Sequence, residues 1–203
     1  SKLNLSILNL HDFRLLVLTR IFTHMALNCQ AVIVGWQIYS LTKSELLLGL
    51  TGLVEAVPAI ICALFSGHVV DTSSPQKVYA IAIATLTINT FVLLLAGGGW
   101  LNLDDHTLII TIFCGIFVSG IARSFIMPAA FTLLSQTVDR EQYSAASAWL
   151  NTAFQIAVIV GPTLAGLVYG FYGAGGAWTF PAAFMALSFL CSINFKNQIN
   201  LWL

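Results

Sequence analysis

The sequence predicts an all-α membrane protein with six transmembrane helices. Of its 203 residues, 58% are hydrophobic and only 8% are charged, whereas a soluble domain is about 25% charged. The apolar residues form six long runs, and a bilayer core requires about 20 apolar residues in helical conformation. These runs lack the two-residue alternation of barrel strands, so helices are the structure that satisfies their backbone in lipid.

The six predicted spans belong to one domain and are joined by short polar or glycine-rich connections. The second span is expected to end at Ser66, where a polar turn containing Gly67 and Asp71 begins. A tight glycine turn is expected at residues 173–176. The spans are predicted at about 13–39, 46–66, 78–96, 107–134, 144–170 and 177–195.

The distribution of lysine and arginine predicts that both termini face the cytoplasm. Seven of the eight basic residues lie on or toward one side of this topology, and only Lys43 lies on the other. Cytoplasmic loops are enriched in lysine and arginine, which favours an even number of spans with the N-terminus inside. The seven residues are Lys2, Arg14, Arg20, Lys77, Arg123, Arg140 and Lys196.

Several other functional classes receive no support from the sequence. The net charge is zero and no basic run is interleaved with aromatics, so no nucleic acid is expected as a partner. The four cysteines lie in separate apolar runs, which predicts neither a metal site nor a disulfide. The chain has no Gly-x-x-x-x-Gly-Lys loop for ATP, and its scattered histidines argue against an intramembrane enzyme. No cofactor is expected.

Three charged side chains fall inside the predicted spans. An intramembrane charge costs about 2.5–3.5 kcal/mol or more unless it faces a cavity or a partner. Arg20 could extend its head group to the cytoplasmic surface, and Arg123 could pair with Asp71 or line a cavity. Glu55 lies near mid-depth, where its carboxyl could rest protonated and carry protons, or could join two helices through a hydrogen bond.

Two motifs in the sequence resemble those of a known protein family. Gly67-x-x-x-Asp71 resembles the signature loop of the major facilitator superfamily of secondary transporters, in which several basic residues follow the aspartate. Here Lys77 is the only basic residue that follows closely. The resemblance implies a gating role for these three residues.

The fifth span contains a second motif, Gly161-Pro162-x-x-Ala165-Gly166, which resembles the exporter-type motif of the same superfamily. Small residues allow helices to approach closely, and the proline kinks its helix. The segments 36–44 and 120–129 resemble the branch that includes the bacterial enterobactin exporter and related drug and macrolide efflux proteins. The likeness covers essentially the whole chain and matches an N-terminal six-helix half.

The resemblance implies a secondary transporter of the bacterial inner membrane that exports a small amphipathic molecule, such as a siderophore or a drug, by proton-coupled alternating access. A lysolipid transporter of the same superfamily is an alternative, as is a non-transport six-span scaffold or channel. Six helices are half of this architecture, so the chain is expected to be an N-terminal fragment or a half-length protein. Its partners would be the bilayer, the substrate, protons and a C-terminal six-helix half.

The resemblance also suggests which side chains contact the substrate. The first and fourth spans line the central pathway in the family, which implicates Asn28, Gln30 and Arg123. Asn151 and Gln155 are four residues apart in the fifth span and therefore share one helix face. These amides are expected to face protein or a cavity rather than acyl chains.

Overall fold

The structure, a computed structural model, describes residues 9–195 and contains six helices there. Five of them are long and apolar enough to cross a membrane. The all-helical class predicted from the sequence is therefore confirmed; Lys2 and Lys196, which contributed to the predicted orientation, lie outside the described residues. The helices are α1 (His11–Thr42), α2 (Glu45–Thr72), α3 (Pro75–Gly97), α4 (Asp105–Thr137), α5 (Tyr143–Ala177) and α6 (Thr179–Ile193).

Alternate helices run in the same direction, as contacts near their ends show. The end of α1 bonds to the end of α3 through Gln37 and Gly97. Near the start of α1, Arg20 bonds to Leu150 of α5, and toward its end Trp36 stacks on Tyr169 of α5, so α1 and α5 are parallel. We call the end of the bundle where α1, α3 and α5 begin the proximal end, and the opposite end the distal end. The predicted orientation places the proximal end in the cytoplasm.

Helix α1 is the centre of the bundle. It packs closely against α5 and α6 and more lightly against α2 and α4. Its buried residues contribute to two apolar clusters, a proximal one that includes Leu16 and Leu134 and a distal one that includes Ile33 and Leu93. Helix α2, in contrast, is apolar and mostly exposed, so its surface is available to lipid or to another protein.

Helix α2 extends beyond the predicted end of the second span. The predicted polar turn at Gly67 and Asp71 is wrong, because both residues lie in the helix, which ends at Thr72. A single glycine costs a helix only about 1 kcal/mol. The chain turns at Ser74 instead, because the following Pro75 disfavours helical backbone in the residue before it and is itself suited to the first position of α3.

The predicted glycine turn at residues 173–176 is reduced to one residue. Gly173 has φ 67° and ψ −168°, a combination that is essentially restricted to glycine. Helical bonding then resumes, since the amide of Trp178 donates to Ala174 at 3.1 Å and that of Ala182 donates to Trp178 at 3.4 Å. Residues 174–193 thus form one helical stretch of about 20 residues, roughly 30 Å long and sufficient to cross a bilayer.

Candidate functional site

Glu55 of α2 and Arg123 of α4 form an ion pair inside the apolar region. Nη1 of Arg123 donates to Oε1 of Glu55 at 3.0 Å, and the Glu55 side chain is 17% exposed. Of the two alternatives expected for Arg123, pairing with Asp71 is therefore wrong, whereas a position in the wall of a pocket agrees with the structure. Asp71 lies 16 residues beyond Glu55 on the same helix, about 24 Å further along its axis.

A glycine and a proline bring α2 and α4 close together at this pair. Gly120 lies one turn before Arg123 on α4, and a β-carbon there would overlap the carbonyl oxygen of Glu55 and lie 3.0 Å from Cγ of Pro58. Only glycine permits this approach of the two backbones. Pro58 also lacks the N–H that would bond to the preceding turn of α2, which allows the helix to adjust at this depth.

A shallow pocket opens beside the ion pair. Its volume is about 270 Å³, and its walls are formed by three small residues and one isoleucine together with the two charged side chains. The carboxylate and the guanidinium are thereby reachable from outside the half that α1 to α6 form. The lining residues are Gly52, Glu55, Ala56, Ala59, Ile60 and Arg123.

Arg20 does not extend to the surface. Its side chain is 0% exposed, its Nε donates to the carbonyl oxygen of Leu150 at 3.1 Å, and its guanidinium lies against the rings of Phe131 and Phe154. The expectation of an exposed head group is wrong because α4 and α5 cover this part of α1.

Gln30 lies inside the bundle, in a hydrogen-bond network that joins α1, α3 and α4. Its Nε2 donates to Oγ of Ser119 at 2.9 Å, and Asn89 donates to the same oxygen at 2.9 Å. Thr90 donates to Oε1 of Gln30 at 3.4 Å. The nitrogen and the oxygen of the Gln30 amide thus both form hydrogen bonds between helices. In the sequence, polar residues within apolar runs indicated such a network.

The other three predicted amides lie on faces that the described helices leave at least partly open. Asn28 is half-buried and donates to the carbonyl oxygen of His24 at 2.7 Å. Asn151 and Gln155 are exposed on α5. The structure does not bring these two into contact with the ion pair, and their role in substrate binding stays a prediction.

A family model described as the Major Facilitator Superfamily matches residues 16–197. The chain belongs to the Major Facilitator Superfamily. Members of this superfamily are secondary transporters rather than enzymes, and the six helices correspond to half of its fold. The chain is accordingly a multi-pass membrane protein. No curated protein matches the chain at a significant level.

The two superfamily motifs occupy different environments. Gly161 is buried, and a β-carbon there would lie 2.9 Å from Cβ of Asn28, so it mediates close packing of α5 on α1. The next residue, Pro162, is half-buried, whereas Gly166 is exposed with no atom within 4 Å of its β-carbon position. Only part of this motif therefore packs within the half.

The signature residues lie at the proximal end. Asp71 and Lys77 are exposed, and within residues 9–195 neither forms an ion pair. Gly67 has no atom within 4 Å of its β-carbon position. Within residues 9–195, Asp71 and Lys77 thus have no ion-pair partner, and the gating role of the three signature residues stays a prediction.

The net charge of the Glu55–Arg123 pair would change if the Glu55 carboxylate took up a proton. Glu55 accepts a hydrogen bond from the Arg123 guanidinium, so the pair places the carboxyl of α2 against the positive charge of α4. A guanidinium keeps its proton at any physiological pH. Protonation of Glu55 would therefore leave Arg123 without its counter-charge and weaken the α2–α4 contact.

Proposed function

We propose that the chain is the N-terminal half of an efflux-type secondary transporter of the bacterial inner membrane. It would export a small amphipathic molecule, such as a siderophore or a drug, in exchange for protons. The observation that carries this proposal is the Glu55–Arg123 ion pair beside an open pocket. Ionisable residues inside a membrane are costly and usually mark a substrate or ion pathway.

In the proposed cycle, Glu55 is the residue that takes up the proton. While ionised, it holds Arg123 at 3.0 Å and keeps α2 against α4. The substrate binds from the cytoplasm through a polar group placed on the ionised pair. Proton binding from the outside neutralises the carboxylate, disrupts this arrangement and releases the substrate, so that proton and substrate occupy the pair in turn. Release of the proton into the cytoplasm restores the ion pair, and each turnover exchanges substrate for a proton.

A second six-helix half completes the pathway in this proposal, either in the same polypeptide or as a second chain. Alternating access requires two bundles that rock against one another around a site near the bilayer midplane. The exposed face of α2 and the exposed amides Asn151 and Gln155 of α5 suit such a partner, with lipid covering the remaining apolar surface. Gly166, exposed on α5, would allow the partner to approach closely.

The function is tested by efflux from cells that lack their native pumps. The chain is co-expressed with a C-terminal half, and the cells are loaded with a panel of siderophores, drugs and lysophospholipids. We expect Glu55→Gln to abolish proton-driven efflux of the transported compound at a normal protein level. Glu45→Gln, which removes an exposed acid from the start of the same helix, serves as the matched control.

Two outcomes would decide against parts of the proposal. Unchanged efflux in the Glu55→Gln variant would remove this carboxylate from the mechanism. Transport of lysophospholipids alone would keep the fold assignment but replace the substrate class. A collapse of the proton gradient with an uncoupler should stop efflux by the wild type, because the gradient supplies the driving force.

A further inference from the structure

Arg20 carries a positive charge that is enclosed within the bundle. Its side chain is 0% exposed, and the rings of Phe131 and Phe154 lie 5.5 and 5.8 Å from the central carbon of its guanidinium. Its Nε is used by the carbonyl oxygen of Leu150. Its terminal nitrogens, Nη1 and Nη2, have no hydrogen-bond partner among residues 9–195.

Arg20 keeps its positive charge although its side chain is buried. A buried lysine or histidine can become neutral, but a guanidinium stays protonated in proteins. Contacts with the faces of two phenylalanine rings compensate only part of the loss of water around a cation. Burial of such a charge is tolerated when a group of opposite charge lies against it, so Arg20 needs an anion.

The acidic residues of the chain do not supply this anion. All eight of them lie within residues 9–195, and in that part of the chain none is within ion-pair distance of Arg20. The phenol of Tyr79 and the imidazole of His24, the other ionisable side chains of this buried region, carry no negative charge at neutral pH. A second half packed on the outside of the bundle does not reach Arg20, because α4 and α5 already cover it.

Further polar atoms in the proximal core, where Arg20 also lies, are suited to an anion. The Tyr79 side chain of α3 is 1% exposed, and its hydroxyl has no partner in the described part of the chain. The same holds for both ring nitrogens of His24, one turn beyond Arg20 on α1. Buried polar atoms are nearly always paired with protein, water or an ion, and here the guanidinium and the phenol both offer hydrogens.

We propose that Arg20 and Tyr79 bind a small monovalent anion, with chloride as the physiological ligand. One negative charge matches the single charge of Arg20, and a halide accepts hydrogen bonds from Nη1, Nη2 and the phenol without needing a donor in return. The surrounding phenylalanine rings favour a small, weakly hydrated ion over phosphate. The bound anion links α1 to α3 at the proximal end, and it neutralises the charge that α4 and α5 enclose.

The proposal is tested by thermal unfolding of the purified chain in detergent, followed by tryptophan fluorescence. Sodium gluconate is replaced by sodium chloride at constant ionic strength and pH. We expect Tm to rise saturably, by about 3–6 °C when chloride reaches ten times its Kd. Sodium bromide should act in the same way, because the site recognises charge and size.

Variants separate specific binding from a general salt effect. Arg20→Gln should remove the response to chloride, while Arg140→Gln, which removes an exposed cation at the proximal end, should keep it. Tyr79→Phe should require about tenfold more chloride, as expected for the loss of one charge-assisted hydrogen bond.

Several results would overturn the proposal. A wild-type Tm that is independent of chloride would show that water alone solvates Arg20, and an equal response in Arg20→Gln would place the effect elsewhere. If Arg20→Gln fails to fold, the Tyr79→Phe titration and retention of radioactive chloride by the wild type decide the question. An unshifted Tyr79→Phe midpoint, or no saturable retention of chloride, would then refute the site.

Discussion

Replacement of Gln37 by leucine should destabilise the distal end of the bundle, because its amide joins three helices there. Nε2 of Gln37 donates to the carbonyl oxygen of Gly97 on α3 at 2.8 Å, and Oε1 accepts from Nε1 of Trp178 at 2.8 Å. Trp178 is 0% exposed and Gln37 is 6% exposed, so water does not replace these bonds. A β-carbon at Gly97 would overlap Nε1 of Trp178, which shows how closely the groups pack.

The magnitude follows from the two polar groups that Gln37→Leu leaves unpaired. Each buried unpaired group costs about 1–3 kcal/mol in a water-soluble protein. Hydrogen bonds between membrane helices contribute less, about 0.6 kcal/mol on average and about 1.7 at most, because the unfolded chain in lipid also finds partners. We therefore expect a loss of about 1–3 kcal/mol, which lowers Tm by roughly 3–10 °C.

A double-mutant cycle in detergent isolates the bond between Gln37 and Trp178. Trp178→Phe removes the indole donor, and the double variant should lose about 0.5–1.5 kcal/mol less than the sum of the two single changes. Gln155→Leu, which removes an exposed amide from α5, should leave Tm unchanged. Strict additivity of the two changes, or a Tm of Gln37→Leu equal to that of the wild type, would refute this reasoning.

Two further predictions concern the Gly-Pro motif and the distal connection. Gly161→Leu should destabilise the chain by about 1–3 kcal/mol through overpacking against α1, while Gly166→Leu should leave the Tm of the purified chain unchanged. The hydroxyl of Thr107, and then its backbone N–H, bond to the Asp104 carboxylate and hold its pKa below the ordinary value. The stability that Asp104 contributes should thus be present at neutral pH and be lost as the pH falls below about 4. The test is to measure Tm between about pH 3 and 7. The Tm of Asp104→Ala should not show this part of the decrease at acid pH.

The sequence identified both residues of the ion pair but did not predict their pairing. Glu55 stood out in the sequence because a carboxyl in a long apolar run is costly, and Arg123 stood out for the same reason. Their pairing was not predictable, since 68 residues separate them and the contact depends on the close approach of α2 and α4 at Gly120. Asp71 was the wrong partner because the continuous helix α2 places it about 24 Å from Glu55 along its axis.

For Arg20 and Gln30, too, the sequence indicated functional importance but not the contacts. A polar side chain in an apolar run identified each residue, whereas the packing of the helices decided what each one contacts. Arg20 is covered by α4 and α5 instead of extending to the surface, and Gln30 bonds to Ser119 and Thr90 instead of facing an open pathway. Whether a side chain on an apolar helix faces a neighbour or an open face depends on how the helices rotate and cross, and the hydropathy of a single run does not contain that information.

The sequence by itself determined the all-helical membrane class, the presence of six helices and the superfamily, because the cost of exposing a backbone or a charge to lipid acts on each segment locally. Only the tertiary structure decided where two helices end, which charges pair and which amides are used for packing. Helix α2 continues through Gly67, and Gly173 alone interrupts the path into the sixth span. These features depend on contacts between residues far apart in the chain, and close packing of small residues such as Gly120 and Gly161 is what brings those residues together.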